Sequence, residues 1–320
     1  ETGRDLFRSI IFIALAAGIL WFELQKKLNV TMATIALAVL CLVDLMGVDT
    51  RYLNSSDFME KEEVSNLFTP TSADEQIMKD PDHANFRVFN QSGNFTNESV
   101  TSYHHNSIGG YHPAKLGLYQ DLIEHQITKG NVNVFNMLNT KYIITQGANG
   151  QPVAQVNPYA YGTCWLVKGI KYVKTPNEEM LALDSTNLKD TAVINESFKN
   201  IIPSLPQPDS TATIKLVSRQ NDDIKYESNA ATAQFAVFSE IYYNRGWDAF
   251  IDGKKTAYAK VNYVLRGIAL PAGKHNIEFK FEPKAYYTGN TISFWCAILV
   301  YLLLAAGVFY LVKNRKNNQL

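Results

Sequence analysis

Two apolar runs open the chain, at 6–24 and 28–48, a third lies near its end at 292–312, and the long stretch between is polar. A bilayer's hydrocarbon core takes roughly 20 apolar residues as a helix, because no water is there to satisfy open backbone groups. The second and third runs have that length, while the first is free of charge only over 10–22. A cleaved leader is the other reading of the first run. It passes into Trp21-Phe22-Glu23-Leu24 without a small-residue cleavage site, and a second apolar run follows at once, so a spanning helix is expected.

The polar middle reads in two parts. Over 49–202 helix and strand signals mix. Ser72-Ala73-Asp74-Glu75 suggests a capping box, and Phe86-Arg87-Val88-Phe89 a strand. Pro113 suits a first helical residue, with Leu116, Tyr119, Leu122, Ile123 and Ile127 recurring at helical spacing and Gly130 ending the helix. Lys141-Tyr142-Ile143-Ile144, Cys164-Trp165-Leu166-Val167 and Ala192-Val193-Ile194 read as strands, and Pro176 opens another helix. An α+β subdomain is expected. Pro203, Pro206 and Pro208 then form a linker.

From 209 to 283 short strands follow one another. Candidates are 211–217, 224–227, 234–243, 249–251, 257–264, 267–270 and 276–281, with Asp252-Gly253 as a two-residue hairpin turn. Ile277, Phe279 and Phe281 alternate with Glu278, Lys280 and Glu282, so this last strand has one buried and one wet face. The fold class expected is membrane α-helical anchors plus an α+β subdomain and an antiparallel β-sandwich.

Charge gives the orientation. Lys26-Lys27 joins the first two helices and Lys313-Asn314-Arg315-Lys316 follows the third. Short basic flanks mark the cytoplasmic side, so 313–320 is expected as a cytoplasmic tail and 49–289 outside the cytoplasm. Arg4 and Arg8 oppose this, whereas Trp21, Phe22, Tyr286, Tyr287 and Trp295 suit interfacial belts. The N-terminus is then outside and begins with Glu1, which reads as the C-terminal piece of a larger multi-pass protein. With 30 basic and 30 acidic residues, nothing suggests nucleic acid as a partner. Cys41 and Cys296 fall in the apolar runs, leaving Cys164 alone in the polar region, so no disulfide is expected there.

Phe238-Ser239-Glu240-Ile241-Tyr242-Tyr243, Gly246-Trp247-Asp248-Ala249-Phe250-Ile251-Asp252-Gly253 and Val261-Asn262-Tyr263-Val264-Leu265-Arg266-Gly267 together resemble the YfhO family of bacterial membrane proteins. Pro271-Ala272-Gly273-Lys274-His275, the run from His105 to Lys115 and Asn139-Thr140-Lys141-Tyr142 continue the likeness. Tyr161-Gly162-Thr163-Cys164-Trp165 departs from it, standing where Gly-Asn-Ala-Trp is commoner in the family.

The resemblance implies a bacterial plasma-membrane protein of GT-C type architecture. Such enzymes move a sugar from a polyprenyl-phosphate carrier to a cell-envelope acceptor. It also implies catalysis by an acidic residue in an upstream external loop. This chain has no position for that residue, so no catalytic residue is assigned and the chain alone is expected to be inactive. The alternative is a non-catalytic scaffold that binds envelope glycan or protein.

Candidate binding residues are His104, His105, Tyr111, His112, Lys115, Asn262, Tyr263 and Arg266. Clustered histidines bind metals or steady a phosphate leaving group, but their spacing matches no zinc motif and no metal is assigned. Arg266 suits two-point contact with phosphate, or is a structural arginine at a sheet edge. Trp247 and Tyr243 suit stacking on a sugar ring, or filling a sandwich core. Asp44, inside the second apolar run, is costly in hydrocarbon and so a functional candidate, or else reaches the wet interface. No phosphate loop or dinucleotide fingerprint is present, so no cofactor is expected.

Overall fold

The computed structural model describes residues 2–317 and divides into two units, 1–69 and 70–320. In the first, α1 (Thr2–Leu24) and α2 (Val30–Tyr52) form a hairpin, followed by α3 (Lys61–Leu67). Asn29 sets the start of α2 by accepting a hydrogen bond from the Met32 amide at 2.7 Å, so Leu28 stays outside the helix. Both helices outrun their apolar stretches, because backbone hydrogen bonding continues through flanking polar residues. Arg8 Nε lies 3.2 Å from Asp44 Oδ1, and Arg51 Nη1 donates to Asp5 Oδ1 at 2.6 Å. Both pairs sit at the end of the hairpin opposite Lys26 and Lys27. Asp44 therefore has a partner within the hairpin.

Among its described residues, the second unit holds three sheets. The small one has the order β1-β2-β3, from β1 (Arg87–Asn90), β2 (Thr140–Gln146) and β3 (Pro152–Val156). α4 (Ser72–Met78) covers it, burying Ala73 and Ile77 with Phe86, Val88, Tyr142 and Ile144. The capping box of α4 starts one residue before the expected one. Thr71 is the cap and Asp74 its reciprocal partner.

A six-stranded sheet has the order β4-β9-β13-β12-β6-β5. It is built from β4 (Cys164–Val167), β5 (Gly169–Val173), β6 (Thr191–Asn195), β9 (Gln234–Ile241), β12 (Ala259–Val261) and β13 (Leu265–Leu270). All its neighbours run antiparallel except β5 and β6. Strands before and after the proline stretch at 203–208 thus share one sheet. The fully antiparallel five-stranded sheet, β11-β10-β14-β8-β7, is formed by β7 (Thr213–Arg219), β8 (Asp223–Ala230), β10 (Trp247–Ile251), β11 (Lys254–Thr256) and β14 (Gly273–Phe281). It faces the six-stranded sheet across Ile224, Tyr226, Phe238, Ile268, Ile277 and Phe279, which makes the expected sandwich.

The other face of the six-stranded sheet is covered by helices. These are α6 (Gly117–Leu122), a π turn over Ile123–Ile127, α7 (Val132–Met137) and α8 (Pro176–Ser185), packed on Val193, Phe235, Val237 and Leu265. With both faces covered, β9 is buried at its first six positions and shows no alternation. Pro113 does not open a helix. It lies in a turn where His112 Nδ1 accepts from the Ala114 amide at 3.1 Å, and α6 begins at Gly117. α5 (Val100–His104) leads into the loop with His105.

Only two residues separate β14 from α9 (Lys284–Asn317). Among the described residues, three helices are long and apolar enough to span a bilayer, at Gly3–Leu24, Val30–Asp57 and Lys284–Leu311. Their large apolar side chains, such as Leu15, Val39, Leu303 and Phe309, are exposed, as expected of surfaces that meet lipid. α9 carries Lys313 in its last turns, while 318–320 of the expected tail lie outside the described residues.

Candidate functional site: a cleft beside the histidine pair

A cleft of about 470 Å³ opens where the small sheet's loops meet one end of the sandwich. His83, His104 and His105 line one side, and Arg219, Glu240 and Trp247 the other. Its histidine wall is built from within. Asp74, at the third position of α4, accepts from the Thr71 amide at 2.8 Å and hydroxyl at 2.7 Å. Its other oxygen lies 2.9 Å from His105 Nε2, and His105 Nδ1 lies 2.8 Å from His83 Nε2. A continuous Asp74–His105–His83 chain therefore runs from the interior to the cleft.

Burial pushes the Asp74 carboxyl up, but hydrogen bonds from His105 and Thr71 outweigh it and hold the group at about 2. Burial, followed by the neighbouring His105, holds His83 below the usual imidazole range. Both nitrogens of His105 are engaged in the chain, so its role is to fix the wall. His104 sits beside it with Nε2 buried and without a partner.

Across the cleft, Arg219 donates to the Ala84 carbonyl at 2.8 Å and its Nε lies 3.4 Å from Glu240 Oε1. Trp247, half-buried at the start of β10, packs on Phe281 with ring centres 5.3 Å apart. The Arg266 guanidinium stacks behind it, 4.2 Å from the ring centre. Arg266 is in β13, near the middle of the six-stranded sheet and not at an edge, and alternation turns it in between the two sheets. The structure thus gathers His104, His105 and Trp247 at the cleft, with Arg266 at its back.

The remaining candidates lie elsewhere. Tyr111 is 65% exposed, and His112 is held in the turn before α6. Lys115 is half-buried and lines none of the described cavities. Asn262 is 0% exposed and fastens β12 to β6: its Oδ1 accepts from the Val193 amide at 2.9 Å and its backbone N–H donates to the Val193 carbonyl at 2.8 Å. Tyr263 donates through its amide to Glu179 at 3.0 Å and through its hydroxyl to Asp121 at 2.8 Å. Asn262 and Tyr263 both have positive φ, 48° and 69°, which the tight turn between β12 and β13 imposes. Tyr263 borders a second cavity, of about 320 Å³, with His125 and Lys129.

His83, Asp74, Arg219 and Glu240 were not singled out for the cleft from the sequence, because nothing in their spacing ties them to His104-His105. Among the described residues, no group of three or more His, Cys, Asp or Glu side chains is arranged to hold a metal ion.

Helices of spanning length joined to a β-rich domain with a polar cleft make this a membrane protein. Residues 171–293, from β5 into α9, match the model of the family described as bacterial membrane protein YfhO, the family that the motifs resemble. No curated protein and no solved structure matches the chain.

Proposed function

We propose that the chain serves a GT-C type glycosyltransferase at the bacterial plasma membrane, and that its cleft binds the sugar of an envelope acceptor outside the cytoplasm. The observation that carries this reading is the pairing of a half-buried tryptophan face with imidazole, guanidinium and carboxylate groups in one cleft of about 470 Å³. Carbohydrates present an apolar face to aromatic rings and hydroxyls to polar side chains, and small-molecule sites typically occupy about 300–1,000 Å³. Lys26-Lys27 at the turn of the α1–α2 hairpin supports an external domain. The polyprenyl-phosphate donor follows from the family resemblance alone.

The internal bonding of Asp74 and His105 favours a binding wall over an acid–base pair. This keeps a second reading in play: a scaffold that holds envelope glycan without transferring sugar. Membranes carrying the full-length protein, supplied with labelled polyprenyl-phosphate sugar and acceptor, distinguish the two. Transfer that falls about threefold to tenfold with Trp247→Ala, through a higher KM for acceptor, supports the transferase. Glycan binding without any transfer supports the scaffold.

A further inference from the structure

Arg266 is 2% exposed in the sandwich interior, on the same side of β13 as Ile268 and Leu270. Its Nε donates to the Ile241 carbonyl at 3.0 Å, and its guanidinium lies 4.2 Å from the Trp247 ring centre and 5.0 Å from that of Phe279. Its Nη1 has no hydrogen-bond partner. A buried cation is stable only when an opposite charge and hydrogen bonds satisfy it. The carboxylate it feels is Glu240, already engaged by Arg219 at 3.4 Å, while Arg87 adds a third guanidinium to the local field. Glu240 thus serves two guanidinium groups at once. Tyr226, 1% exposed beside the same charges, leaves its hydroxyl unpartnered, as His104 leaves its Nε2. Around the cleft, then, a guanidinium nitrogen, a hydroxyl and an imidazole nitrogen are buried without partners.

We infer that the cleft takes a carbohydrate bearing an anionic group, a carboxylate or a phosphate ester, whose charge completes the Arg219–Glu240–Arg266 cluster. This rests on the sugar-binding reading of the same cleft. The sugar ring lies against Trp247, the anion meets Arg219 and His104, and Arg266 supplies charge from behind the indole.

Calorimetric titration of the detergent-solubilised protein with glucuronate, glucose 6-phosphate, glucose and inorganic phosphate tests it. At least one acidic sugar is expected to bind about tenfold or more tighter than glucose, and the stronger of the two identifies the anion. Arg266→Met and Arg219→Gln are each expected to weaken the acidic sugar about tenfold and glucose by less, which brings that preference close to parity. The second variant carries the test if the first does not fold. Equal affinity for glucose and both acidic sugars overturns the inference and leaves the sugar-binding reading standing. Inorganic phosphate binding as tightly as glucose 6-phosphate, with glucose unbound, overturns the sugar reading and the inference with it. Absence of binding by all four probes overturns both.

Discussion

Asp74 carries the cleft's histidine wall, and its titration sets a pH limit on it. An acid held by folding below its free value, here at about 2, stabilises the fold above its unfolded pKa and loses that contribution as pH falls through the folded one. Taking the free value as about 3.9, the Asp74 contribution should fade between about pH 4 and pH 2. Asp74→Asn removes the charge at similar shape. It should cost about 1–3 kcal/mol and flatten this acid limb in thermal melts. Glu179 shows the opposite sign. It is 0% exposed, burial raises its carboxyl despite Lys260 Nζ at 2.6 Å and the Tyr263 amide, and so its charged form costs stability as pH rises through its folded pKa. Removing Lys260 leaves that charge without a counter-ion. Lys260→Met should therefore cost about 3–5 kcal/mol near neutral pH and less in acid, by urea titration at each pH. At this scale the sequence shows residue types but not partners. His104-His105 stands out as an adjacent pair, while His83 and Asp74, 22 and 31 positions from His105, meet it only through the fold.

At the scale of elements, legibility follows the number of faces that each strand buries. β14 alternates cleanly because one face meets the sandwich core and the other water, and its last six residues were readable as a strand. The Asp252-Gly253 turn was equally plain, and both residues take the positive φ, 50° and 76°, that such a hairpin requires. β3, which begins at a proline and lies on a sheet edge, and β11, a three-residue Lys-Lys-Thr strand, left no hydrophobic pattern to read. β9 and β13, covered on both faces, read as apolar runs, so their place between two layers could not be seen from the chain. Gly267 makes that layering testable. A methyl group there would lie 2.6 Å from Val261 Cγ1 and 2.7 Å from Phe235 Cε1, on the helix-covered face. Gly267→Ala should therefore cost about 1–3 kcal/mol through overpacking, read as a lower urea midpoint at unchanged slope.

The whole molecule depends on where the polar domain is placed across the bilayer. Arg8 lies toward the end of the first hairpin that the proposed orientation puts outside, against the usual bias of basic residues. Its contact with Asp44 at 3.2 Å gives a residue in a spanning helix the partner that hydrocarbon demands. Lys26 and Lys27 have no comparable role in the interior of the hairpin; they sit at its tight turn, with Lys26 in the left-handed region at φ 57°. They are the basic residues best placed to hold that turn in the cytoplasm, since orientation follows Lys and Arg in short loops. Protease added to intact spheroplasts should accordingly digest residues 49–289 and spare α1, α2 and most of α9. Exchanging both lysines for glutamate should raise the fraction of molecules whose domain survives digestion. A wild-type domain that resists protease until the membrane is lysed would reverse the orientation and remove the acceptor-side role of the cleft. A wild-type domain that is digested, together with an unchanged fraction in the double variant, would keep the orientation and move its cause to the basic flank of α9.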